Sequence, residues 1–160
     1  MKKFISIVVG KKPVSIIFRL FVLTFLVWVF WTPNLKILWV DGESMMPSYD
    51  DGDTVLMNIN PYKKGTPRRL DPVVVWSNEH KCLLFKRIIA LPGELIEIKK
   101  GHIFINGEEL QDSFGEGHDN FFDMKPTRVP LNQYFVIGDN RDESVFGFFL
   151  IEEIVGRAMY

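Results

Sequence analysis

The chain has one cysteine, Cys82, in 160 residues. That excludes an intrachain disulfide and argues against a zinc site. Set in the apolar run Cys82-Leu83-Leu84-Phe85, it reads as a small buried hydrophobe rather than a nucleophile. Histidine is scarce too: His80, His102 and His118 lack ligand spacing and read as polar loop or strand-edge residues. No metal and no cofactor is expected. Nor is there an excess of charge of one sign, with 19 Lys and Arg against 20 Asp and Glu. With no basic stripe interleaved with aromatics, nucleic acid is not an expected partner. The acidic run Asp50-Asp51-Gly52-Asp53 lacks EF-hand spacing and a distal glutamate, and reads as a solvated turn.

Only one long hydrophobic run is present, residues 14–31, with Arg19 as its single charge. A bilayer core takes about 20 helical residues, with roughly 17 as the usual minimum. The run suffices, and Arg19 lies where its side chain can snorkel to the headgroups. Trp28 and Trp31 mark the other interface. The run shows no polar face, and no small-x-small cleavage site follows it, so it reads as an uncleaved anchor over 14–32 rather than a removed signal peptide. Lys2, Lys3, Lys11 and Lys12 precede it, whereas Lys36 alone follows closely. The positive-inside rule then gives a cytoplasmic basic N-terminus over 1–13 and an extracytoplasmic domain over 33–160.

Beyond residue 41 the texture changes to short β-type runs punctuated by turn signals. Strands are expected over 54–59, 73–76, 83–91, 95–99, 102–105 and 134–137. Lys100-Gly101 and Asn106-Gly107 suit tight hairpin turns. The only helical turn expected lies near 151–154. The fold class is therefore mainly β, an antiparallel β-sheet domain preceded by one N-terminal transmembrane helix. Residues 61–71 and 111–130 read as surface loops. In the second, Phe114, Phe121 and Phe122 either contact substrate or lipid or return to the core.

Ser44, in Asp41-Gly42-Glu43-Ser44-Met45-Met46-Pro47-Ser48, is no catalytic signal by itself, because loop serines commonly serve turns. A serine nucleophile needs a base, and no histidine is well placed to supply one. Lys86 lies between Phe85 and Ile88 in an apolar strand, where desolvation would favour its neutral amine. Lowering its pKa from about 10.4 to near 8 takes roughly 3 kcal/mol, within the reach of burial.

Three stretches in order, Ser44-Met45-Met46-Pro47, Lys86-Arg87-Ile88-Ile89-Ala90-Leu91-Pro92-Gly93-Glu94 and Gly138-Asp139-Asn140-Arg141-Asp142-Glu143-Ser144, resemble the conserved boxes of type I signal peptidases, the S26 Ser-Lys serine proteases. A weaker box, Arg69-Leu70-Asp71-Pro72-Val73-Val74-Val75-Trp76, also fits. The resemblance implies Ser44 as acylating nucleophile, its backbone N–H as oxyanion donor, Lys86 as general base and Ser144 as the lysine-orienting hydroxyl. It implies Met45, Leu84 and Phe85 as the wall of the substrate pocket. Arg87 and Asp139 would form a supporting ion pair, within a structural loop that includes Asn140 and Arg141. The substrates implied are signal peptides of exported preproteins, cut after an Ala-x-Ala-like boundary beside membrane lipid. The chain departs from the pattern at Gly42, where some members carry a hydroxyl residue, and after Ser144, where the usual Asp-Ser-Arg element is missing. Two alternatives share these residues: a specialised relative processing plasmid-transfer or organellar inner-membrane substrates, and a catalytically idle single-pass binding module. Only twelve residues separate Trp31 from Ser44. At 3.3–3.6 Å each at most, they would tether the serine near the outer membrane surface.

Overall fold

The computed structural model describes residues 13–31, 34–63, 65–115 and 122–159, with helix side chains described over 16–27. The basic N-terminal residues, the Trp28 and Trp31 side chains, His118 and Phe121 lie outside the described residues. The chain divides into two units, Met1–Pro33 and Asn34–Tyr160.

The first unit contains one helix, α1 (Pro13–Trp31), with proline at its first position, where the missing N–H costs no hydrogen bond. Its described apolar side chains, among them Ile17, Phe18, Phe21 and Leu23, are exposed within the unit. Thr24 returns its hydroxyl to the Leu20 and Phe21 carbonyls, as a hydroxyl in apolar surroundings does. Among the described residues, no helix is long and apolar enough to cross a membrane. The length expected over 14–32 therefore depends on residues beyond the described side chains.

The second unit is antiparallel β throughout. Its strands are β1 (Leu35–Trp39), β2 (Thr54–Asn58), β3 (Pro72–Ser77), β4 (Cys82–Ala90), β5 (Leu95–Lys99), β6 (His102–Ile105), β7 (Glu108–Glu109), β8 (Met124–Arg128), β9 (Gln133–Ile137), β10 (Gly147–Leu150) and β11 (Ile154–Ala158). Seven form one sheet in the order β1-β2-β11-β3-β4-β9-β10, and four form a second in the order β7-β6-β5-β8. A 3₁₀ turn, Ile151–Glu153, precedes β11. The two expected hairpin turns are present: Lys100-Gly101 and Asn106-Gly107 both have positive φ at both residues, the pairing that matches strand twist.

Side-chain alternation along β4 and β9 builds the core. Ile89, Phe135 and Ile137 point to one face and pack with Ile96, Ile98, Ile103 and Ile105 of the smaller sheet. Ile88 and Val136 point to the other and pack with Val73, Val75 and Ile154. A third cluster, Val40, Met45, Tyr49, Val55 and Ala158, anchors the segment after β1. The structure corrects two expectations. Cys82 is exposed, because it begins β4 beside the turn from β3, before the strand enters the core. Residues 111–130 are not one loop: they contain β8, whose Pro126 is tolerated because β8 is an edge strand.

Candidate active site

β4 changes character along its length, and Lys86 sits where it does so. Cys82 and Leu83 are exposed, Leu84 and Phe85 half-buried, and 86–90 buried. Pairing with Val73 on β3 fixes Lys86 in the sheet. It is only 2% exposed, a costly position for a charged ammonium. Burial lowers its pKa from 10.5 to about 8, outweighing the Asp139 carboxylate, which pulls the other way.

Ser44 reaches the amine from the turn after β1. The turn closes through Met46 N–H to the Glu43 carbonyl (3.1 Å) and Tyr49 N–H to the Met45 carbonyl (3.0 Å). Met45 and Tyr49 plug it into the third cluster. Its acidic neighbours are occupied as turn formers: Asp51 accepts from Gly42 N–H at 2.8 Å, and Asp53 from Asp50 N–H at 3.0 Å. The result brings Ser44 Oγ to 2.6 Å from Lys86 Nζ, across 42 residues of sequence. Among the described residues no acceptor is bonded to the Ser44 backbone N–H, which leaves that donor free to face an incoming oxyanion.

The loop after β9 holds this turn from the other side. Asn140 donates its backbone N–H to the Ser44 carbonyl (3.1 Å) and its side-chain amide to the Glu43 carbonyl (3.2 Å). Gly138 is required here: a Cβ would collide with the Ser44 carbonyl and Ser144 Oγ. Ser144 Oγ accepts from Gly138 N–H (2.7 Å) and donates to the Val145 carbonyl (3.0 Å). No hydrogen bond joins it to Lys86, so in this structure the hydroxyl orders its own loop. Arg87 and Asp139, both 0% exposed, form a bidentate pair with contacts of 2.6 and 2.5 Å. Arg87 also donates to the Leu70 carbonyl (2.9 Å), and Arg141 Nε to the Gly138 carbonyl (3.0 Å).

A cleft of about 210 Å³ opens beside Lys86 and is lined by Leu84, Val145, Phe146 and Phe148, together with His80 and Glu153. Of the three expected pocket residues, Leu84 lines it. Met45 is 1% exposed, and Phe85 lies on the opposite face of β4, packed on Tyr49 at 4.9 Å between ring centroids. Those two therefore support the Ser44 turn from beneath.

The roles of two further residues were not legible from the pattern. Asp112 pairs with Arg141, both nearly buried, and the Phe114 ring lies 3.6 Å from the Arg87 guanidinium carbon. The only signal for them was an aromatic between small residues, Ser113 and Gly115, with an acid nearby in an otherwise polar stretch. Of the other loop aromatics, Phe122 stacks on Phe146 at 4.1 Å and packs against the core. Among the described residues, no group of His, Cys, Asp and Glu could hold a metal.

Known proteins are similar to this chain. A family model described as signal peptidase, peptidase S26, matches residues 11–160. A signal peptidase I P of Bacillus subtilis subsp. natto is 36% identical over 73% of this chain and 71% of its own. A signal peptidase I V of Bacillus subtilis strain 168 is 34% identical over 73% of this chain and 79% of its own. The crystal structure of a signal peptidase I from Enterococcus faecalis V583 superposes with a TM-score of 0.53 at 26% identity, covering 59% of this chain and 97% of that one. With the family model matched over residues 11–160 and relatives more than 30% identical, the chain belongs to the signal peptidase family of S26 serine endopeptidases.

Proposed function

We propose that this chain cleaves signal peptides from exported preproteins after a small-x-small boundary, through an acyl-enzyme formed by Ser44 with Lys86 as base. One observation carries the mechanism: the amine of a lysine that is 2% exposed lies 2.6 Å from a serine hydroxyl. With the amine neutral, Ser44 O–H donates to Nζ. As Oγ attacks the scissile carbonyl carbon, the proton passes to Lys86, and the Ser44 backbone N–H faces the oxygen that gains charge. Collapse breaks the C–N bond, and the Lys86 ammonium returns the proton to the leaving amine. Water then gives a proton to Lys86 and attacks the ester, and the ammonium reprotonates Ser44 as it leaves. Leu84 and the cleft of about 210 Å³ beside Lys86 suit a small residue before the bond. Ser144, Arg87, Asp139, Asn140 and Arg141 hold the loop that supports the Ser44 turn.

We further propose single-pass membrane anchoring through the helix Pro13–Trp31, with its N-terminus cytoplasmic. At about 1.5 Å per residue, 19 residues span roughly 28 Å, close to the hydrocarbon thickness. On edge strand β1, Ile37 (64% exposed) and Trp39 (74%) alternate onto one face and suit a lipid surface.

Cleavage of a preprotein with an Ala-x-Ala boundary in detergent tests the enzyme reading, with the product's new N-terminus sequenced. Wild type cutting after the small residue, with Ser44→Ala and Lys86→Ala inert but folded, is the expected result. Full activity in either variant would remove that residue from the mechanism. An inert wild type would favour a specialised peptidase or an idle module.

A further inference from the structure

We infer that Asp112 and Phe114 are positioning residues of the active site, acting through Arg141 and Arg87 on the turn that presents Ser44; this rests on the Ser44–Lys86 reading above. Both lie in a segment far from the nucleophile in sequence, and neither touches it. Each grips one of the two buried arginines behind it. The Asp112 carboxylate pairs with the Arg141 guanidinium, with side chains 6% and 2% exposed. Arg141 passes that constraint on, because its Nε donates to the Gly138 carbonyl at 3.0 Å. Gly115 adjoins the same guanidinium so closely that a Cβ there would collide with it.

Phe114 grips the other arginine. Its ring lies 3.6 Å from the Arg87 guanidinium carbon, a cation–π contact strengthened because Arg87 is fully buried. The two grips are one unit, since Phe114 N–H donates to Asp112 Oδ1 at 3.1 Å. Arg87 is the β4 neighbour of Lys86 and holds Asp139 at 2.5 Å. Gly138 and Asn140, which flank the Asp139 held by Arg87, carry the contacts to Ser44. Asn140 N–H holds the Ser44 carbonyl at 3.1 Å, and Gly138 lies where only hydrogen fits against that same carbonyl. Releasing either grip would let both the serine turn and the lysine strand drift. Misplacement of reacting groups by about 1 Å costs on the order of a hundredfold in rate.

The test uses the full chain in detergent with a preprotein substrate and compares Asp112→Asn, Asp112→Glu, Phe114→Leu and Phe114→Tyr with wild type. Leucine keeps apolar packing but removes the ring face, whereas tyrosine keeps it. Asp112→Asn and Phe114→Leu should lower kcat roughly 10–100-fold with KM within about twofold. Asp112→Glu and Phe114→Tyr should recover most of the loss, and all four should melt above the assay temperature. Wild-type kcat in both Asp112→Asn and Phe114→Leu would overturn the inference, as would equal rates for Phe114→Leu and Phe114→Tyr. If Asp112→Asn does not fold, the Phe114 pair decides alone. Ser44→Ala and Lys86→Ala run alongside: activity in those controls would sink the dyad itself, whereas inert controls beside fully active Asp112 and Phe114 variants would sink only this inference.

Discussion

Lys86 is held at a cost to stability. Its fall from 10.5 to about 8 corresponds to about 3 kcal/mol of differential destabilisation of the charged form. Because the folded-state value is the lower one, the unfolded chain binds more protons between pH 8 and 10.5. Stability therefore rises through that window, and the full penalty is felt below it. Lys86→Met, similar in length and uncharged, should abolish cleavage yet raise stability at pH 7 by about 1–3 kcal/mol. The gap between the two proteins should narrow as pH climbs from 8 to 10.5. Denaturant titration at three pH values checks this, and a less stable methionine variant would show that the amine is satisfied rather than penalised. The lysine and the serine were both legible in the sequence, one as a charge in an apolar strand and the other through its neighbours. Their contact was not, because it depends on strand pairing across 42 residues. Nor was the attachment of Ser144 to Gly138 and Val145, which follows from a turn geometry that composition does not encode.

At the scale of elements, β4 is joined by the buried Arg87–Asp139 ion pair to the loop after β9, which itself holds the Ser44 turn. Removing one member of such a pair strands the other, at about 3–5 kcal/mol, whereas replacing both by apolar residues costs much less. Arg87→Met should therefore lower the melting temperature by about 10 °C or more, and Arg87→Met with Asp139→Leu should recover part of the loss without restoring kcat. Differential scanning of the three proteins decides; equal melting for wild type and Arg87→Met would mean that the pair contributes little. The strands that sequence reading found are those with strong β-branched content, β3 to β6 and β9, together with β2. Those it missed, apart from the two-residue β7, each break the pattern for a physical reason. β8 carries proline on an edge, and β10 is a short Gly-Phe-Phe-Leu run. β11 is interrupted by Gly156, where the register with β3 shifts and a Cβ would strike Met57. β1, Leu-Lys-Ile-Leu-Trp, has no clean alternation and reads as linker between anchor and nucleophile. Residues 111–115 were legible only as loop, since their partners are arginines elsewhere in the chain.

At the scale of the whole molecule, the proposed lipid contact of β1 separates catalysis from access to a membrane-inserted substrate. Full-length protein with Ile37→Ser and Trp39→Ser should cleave a soluble peptide in detergent at the wild-type rate, but a preprotein inserted in vesicles severalfold more slowly. Equal loss on both substrates would assign β1 to folding rather than to the membrane.

The most direct measurement is the pH dependence of kcat/KM, which reports the ionisation of the free enzyme's base. If Lys86 takes the Ser44 proton, activity must be lost as pH falls through the lysine's folded-state value, giving an acid limb near pH 8 with slope one. An acid limb near pH 6.5, the ordinary range of a histidine, or a profile flat from pH 6 to 9 would contradict the assignment of Lys86 as the base.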